Sequence, residues 1–138
     1  MRPAVHSLSF AVLVVAGCSA ASGDRLPVYP VHGKVLVGGS PATEAFVHFH
    51  HLDGNPAPAW VAGQVDADGN FSLSTYVAGD GAPEGEYVVT ITWRRRGGAL
   101  NEFSGPDRLK DRYSDPKTSK LRFRVEKKAL NEVPPYQL

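Results

Sequence analysis

Residues 31–50 read VHGKVLVGGSPATEAFVHFH, and their spacing decides the fold class. Val31, Gly33, Val35 and Val37 alternate with His32, Lys34 and Leu36 as far as a turn cluster, Gly38-Gly39-Ser40-Pro41. Ala45, Val47 and Phe49 then alternate with Phe46, His48 and His50. A period of two sends successive side chains to opposite faces of a strand, one toward a core and one toward water. The same period returns at Tyr87, Val89, Ile91 and Trp93, set between Glu86, Val88, Thr90 and Thr92. It appears again at Leu121, Phe123 and Val125, set between Arg122, Arg124 and Glu126. Between these runs, VAGQVDADGNFSLS (61–74) predicts two short strands around Asp66-Ala67-Asp68-Gly69-Asn70. Asp and Asn cap such turns with their side chains, and glycine takes the left-handed backbone they need. Helical spacing is confined to a short candidate at 126–130 and a helical turn within DRLKDRYSD (107–115). Short strands punctuated by Gly and Pro predict an all-β fold, an antiparallel two-sheet β-sandwich. The expected core is Val35, Val47, Phe49, Phe71, Leu73, Tyr87, Val89, Ile91, Phe123 and Val125.

Residues 27–138 have the length of one domain, enough to close a core without disulfides. None can form within the chain, because Cys18 is its only cysteine. Two connections are longer than hairpin turns: a Gly/Pro crossover at 78–85 (AGDGAPEG) and the segment 94–119. A loop of the second length points to packing or function, and Phe103, Leu109 and Tyr113 are expected to pin it to the sandwich. It is also the expected recognition surface. The tail at 133–138 carries Val133, Tyr136 and Leu138 around Pro134-Pro135, so it should dock. Proline cannot donate to a ladder, which sends the tail to a sheet edge or across the sandwich end.

The N-terminus carries an address. Met1-Arg2 is followed by an apolar run at 8–15 (LSFAVLVV), much shorter than the ~20 residues of a spanning helix. Val15-Ala16-Gly17-Cys18 then resembles the lipobox of a bacterial lipoprotein signal peptide, in which the cysteine is acylated and becomes the new N-terminus. The resemblance implies a signal peptide at 1–17, a lipidated Cys18 with a flexible tether at 18–26, and the domain at 27–138. It places the protein in the bacterial cell envelope, held to a membrane through its N-terminal lipid on the extracytoplasmic side. Two or three acyl chains anchor stably where one binds marginally. Loss of Arg2 with the signal takes the formal charge from +1 to 0, with fourteen basic and fourteen acidic side chains remaining. That balance speaks against bulk attraction to nucleic acid.

The succession VHGKVLVGGSPATEAFVHFHHLDG (31–54), QVDADGNFSLSTY (64–76) and GAPEGEYVVTITW (81–93) resembles the carboxypeptidase regulatory-like domain. This is the transthyretin-like sandwich that also occurs alone in small envelope lipoproteins. Asp107-Arg108-Leu109, Arg112-Tyr113-Ser114-Asp115-Pro116 and the closing 131–138 resemble the lipoprotein version as well. The resemblance implies a Greek-key module of about seven strands that is not catalytic and serves stability, display or binding. The transthyretin-like 5-hydroxyisourate hydrolases end in a sequence like Tyr-Arg-Gly-Ser, whereas this chain ends Pro135-Tyr136-Gln137-Leu138.

His48 and His50 are the strongest candidates for chemistry. They share a strand face roughly 7 Å apart, within reach of one metal ion, with His32 on a neighbouring strand as a prospective third member. The simpler expectation is a polar outer face of aromatic shape, with His51 turned the other way. Asp66-x-Asp68-Gly69 has the look of a calcium loop but lacks its glutamate six residues past the glycine, where Thr75 stands. Arg94-Arg95-Arg96 after Trp93 suits either an anionic ligand or a solvated strand end paired with acids of the same loop. No Gly-x-Ser-x-Gly elbow occurs. The function expected is a membrane-anchored envelope lipoprotein without catalytic, cofactor or metal residues. Its sandwich would bind an envelope protein or polysaccharide or act as a structural module. A metal-binding protein or metal-dependent enzyme using His48 and His50 is the alternative.

Overall fold

The computed structural model describes residues 25–52, 58 and 60–138. The expected signal peptide, Cys18 and the tether up to residue 24 lie outside the described residues. The strand segments are β1 (Val28–Tyr29), β2 (Val31–Val37), β3 (Ser40–Pro41), β4 (Phe46–His51), β5 (Ala62–Gln64), β6 (Asn70–Ser72), β7 (Ala82–Pro83), β8 (Gly85–Thr92), β9 (Arg122–Val125), β10 (Asn131–Glu132) and β11 (Tyr136–Gln137). Five of them, β1, β3, β7, β10 and β11, are two-residue pairings that lengthen the strand count without adding a layer. No helix among the described residues is long and apolar enough to cross a membrane.

One sheet is antiparallel throughout, in the order β5-β4-β8-β9. The other is organised on β2, and β1 pairs separately with β7. The odd-numbered residues of β2 turn their main-chain groups toward the β6 side, where Leu73 N donates to Val31 O and Val35 N to Gly69 O. The even-numbered ones turn to the tail: Val133 N donates to His32 O and Leu138 N to Leu36 O. The tail therefore docks along an edge, as β10 and β11, with Pro134-Pro135 in the unpaired step between them. Both pairings are parallel, a departure from the antiparallel expectation that local sequence pattern has no means of signalling.

The expected core residues are buried, apart from Phe123, which is half-buried and packs against the rest. Val31, Ala42, Ala45, Val61, Val65, Ala82 and Val133 join them between the two sheets. β8 is buried on its second face as well, at Val88 and Thr90. Its edge beyond β9 is carried on by the long connection, since Val89 N donates to Leu121 O and Ile91 N to Tyr113 O. The arm at 94–119 is thus an extension of the sheet edge.

Two expected helical pieces are turns. Within 107–115, Lys110 and Asp111 have φ of 56° and 57°, and two successive left-handed residues cannot continue a right-handed helix. At 126–130 the chain closes a turn with Lys128 N on Glu126 O. Asn131 organises it: Oδ1 accepts from Glu126 N, and Nδ2 donates to the carbonyls of Glu126 and Pro30.

Candidate functional site

The outer face of the four-stranded sheet carries a trough. Alternation along β4 turns Phe46, His48 and His50 outward while Val47 and Phe49 enter the core. The register with β8 sets Phe46 opposite Thr92 and His48 opposite Thr90, and β5 places Ala62 beside His48. These side chains form the floor. Trp60, just ahead of β5, stacks on His48 with ring centroids 4.5 Å apart and planes tilted by 39°. His48 in turn lies 4.1 Å from His50, tilted by 44°. At the other end Phe103 meets Phe46 edge to face, 5.1 Å between centroids. The space enclosed is about 470 Å³ and opens to solvent.

His50 Nε2 and Thr90 Oγ1 are hydrogen-bonded at 2.8 Å. Burial, and secondarily the neighbouring His50, bring the His48 pKa down from 6.5 to about 4. Burial lowers that of His50 too. Both imidazoles are consequently neutral at pH 7, each with one N–H donor and one acceptor nitrogen. Stability should follow. The unfolded chain protonates His48 near 6.5 and the folded one only near 4, so the contribution is complete above pH 6.5 and is lost as the pH falls to 4. Because the ring is only half-buried, the loss is expected at about 1–2 kcal/mol, less than the full shift would give. Urea denaturation of wild type and His48→Gln across that range measures it; equal pH slopes in the two proteins would refute it.

His32 does not join the pair. It sits exposed on β2, in the other sheet, because the chain crosses between sheets after β3. His51 faces away and meets Tyr87 edge to face at 4.9 Å. Among the described residues no group of three His, Cys, Asp or Glu side chains is placed to hold a metal ion. In the β5–β6 turn, Asp66 Oδ1 accepts from the amides of Asp68 and Asn70, both at 2.9 Å, the turn capping expected there.

The arm is held by Asp107, only 7% exposed. Its Oδ1 accepts from Trp93 N at 2.8 Å and Leu109 N at 3.1 Å, and its Oδ2 from Asp111 N at 3.1 Å. Leu109 is buried and Tyr113 packs against the core, while Phe103 fastens the arm to Phe46. Arg94 pairs with Asp111 at 3.7 Å and donates to Gly105 O. Arg96 bonds Glu44 at 2.9 Å and lies over the Phe103 ring at 4.1 Å. The arginine run is therefore divided: two of its members brace the arm, and Glu44, one of their acids, comes from outside the loop. Sequence reasoning placed Phe46, His48 and His50 on one outer face but missed Trp60, Thr90 and Phe103 as their companions. The available signal was Trp60 itself, a large ring in a Pro/Ala-rich stretch outside any alternation.

No protein-family model and no curated protein matches the chain. Among solved structures it is similar to a 9R-lipoxygenase from Cyanothece PCC8801, with a TM-score of 0.45 and 11% identity over 81% of this chain and 16% of the enzyme. It is also similar to a DUF3823 family protein from Parabacteroides merdae ATCC 43184, with a TM-score of 0.40 and 19% identity over 80% of this chain and 45% of that one. The chain spans less than half the length of either, and neither likeness carries a function across.

Proposed function

We propose that this chain is the precursor of a non-catalytic, lipid-anchored lipoprotein of the bacterial envelope. Its sandwich, a carboxypeptidase regulatory-like domain by resemblance, holds a partner on the extracytoplasmic side of a membrane. The observation that carries the binding role is the aromatic trough on β4 and β8. Its floor is a paired sheet and its far wall is braced through Asp107, so the site is formed before any ligand arrives. The hydroxyl in contact with His50 belongs to Thr90, on the trough's floor and only 4% exposed, where it is held between His50 Nε2 and the main-chain carbonyl of His48. Such a pair suits holding a ligand better than activating a nucleophile.

The anchor rests on the charged start, short apolar run and Ala16-Gly17-Cys18. Mass analysis of the mature protein should find an acylated Cys18 at its N-terminus. Cys18→Ser should shift the protein from the detergent phase to the aqueous phase. An unmodified Cys18, or identical partitioning of the two, would overturn the proposal. Elemental analysis gives the competing outcome: stoichiometric metal that disappears in a His48→Ala/His50→Ala variant would replace a binding module by a metal protein.

A further inference from the structure

Resting on the binding-module proposal above, we propose that the outer-face trough is a binding site for an uncharged glycan chain. Its size and openness come first. About 470 Å³ lies within the usual range for small-ligand sites of roughly 300–1,000 Å³, and the open top lets a polymer run through. The lining then selects the chemistry. Trp60 is 63% exposed, with His48 stacked on it. Exposed aromatic faces carry partial negative charge and attract the C–H face of a sugar ring. Beside them stand the imidazoles of His48 and His50 and the hydroxyls of Thr92 and Ser114. Imidazole and hydroxyl both donate and accept, which matches sugar hydroxyls, themselves donors and acceptors.

Charge and position separate this ligand from others. Among the described residues the lining contains no carboxylate, and its one cation, Arg94, is already engaged by Asp111 and Gly105 O. An acidic polymer would find no unpaired countercharge there. Peptides added as a strand need a free sheet edge. Here β4 and β8 are paired over six residues from Phe46↔Thr92 to His51↔Tyr87, and β5 pairs with the other side of β4. The face therefore offers side chains alone, the means by which a glycan is held. An acyl chain would leave the His48 ring nitrogens and the Thr92 hydroxyl of the lining without partners.

The test is calorimetric titration of the lipidated mature protein in detergent with β-1,4-glucan, α-1,4-glucan and N-acetylglucosamine oligosaccharides, with polygalacturonate as the acidic comparison. At least one neutral chain should bind saturably. Trp60→Ala and Phe103→Ala should each weaken it roughly tenfold or more. Val77→Ala, exposed at a site outside the trough, should bind as wild type does. No saturable binding of any neutral chain, or equal binding by the trough variants, would overturn the inference. Trp60-dependent retention of polygalacturonate or of an envelope protein would also overturn it, while leaving a binding module standing. If wild-type protein binds no neutral chain and also retains nothing specific from envelope extract, the binding role proposed above falls with this inference.

Discussion

Replacing Asp107 by alanine should cost about 3–5 kcal/mol of folding stability and loosen the arm at 94–119. The carboxylate is buried and accepts three main-chain N–H groups, from Trp93, Leu109 and Asp111. Alanine leaves all three donors without that acceptor in a region where Leu109 is also buried. The damage should reach the trough, because the arm that Asp107 anchors at the end of β8 also carries Phe103 to Phe46. Asp107→Asn should fall between the two. Its amide oxygen can serve Trp93 and Leu109, but its NH₂ group then faces the amide of Asp111 and cannot accept from it. Denaturant titration with tryptophan fluorescence measures the effect. A loss below about 1 kcal/mol in the alanine variant would show that the arm is held elsewhere.

Removal of residues 131–138 should abolish cooperative folding at 25 °C, or cost at least about 4–6 kcal/mol. That is most of the roughly 5–15 kcal/mol available to a small domain. The truncation takes away β10 and β11 and, with them, the main-chain bonds to Pro30, His32 and Leu36. Water can satisfy an exposed edge, so the larger losses are internal. Asn131 is fully buried and its side chain ties Glu126 to Pro30. Val133 lies against β2 at Gly33, where a Cβ would stand 3.0 Å from Val133 Cβ and 2.6 Å from Phe71 Cε1. Glycine there lets the Phe71 ring and the tail close over one strand, and truncation opens that contact to water. Asn131→Ala alone should cost about 2–4 kcal/mol, which tests the internal part without shortening the chain. Calorimetric melting decides both, and an unchanged melting temperature in the truncated protein would refute the docking energetics.

The alternation of Val47 and Phe49 with His48 and His50 was sufficient, read alone, to place the first two in a core and the imidazoles outside. The same holds for Tyr87, Val89 and Ile91, and for the Asp66–Asn70 turn. Strand pleating and turn chemistry act between residues a few positions apart, so their signal is complete in a short stretch of chain. Pairing is different. A strand's pattern is the same whichever sheet it enters, and only the structure separates His32 on β2 from His48 on β4. The parallel tail was invisible for that reason, since residues 131–137 find β2 across almost the whole domain. The helical turn expected in 107–115 failed because Asp107 organises that backbone through amides on both sides of it, Trp93 among them. The site divides along the same line. Phe46, His48 and His50 share a face by local geometry, but their assembly with Trp60, Thr90 and Phe103 into one trough depends on the packing of three separate segments, which hydrogen-bond ladders and core burial decide together.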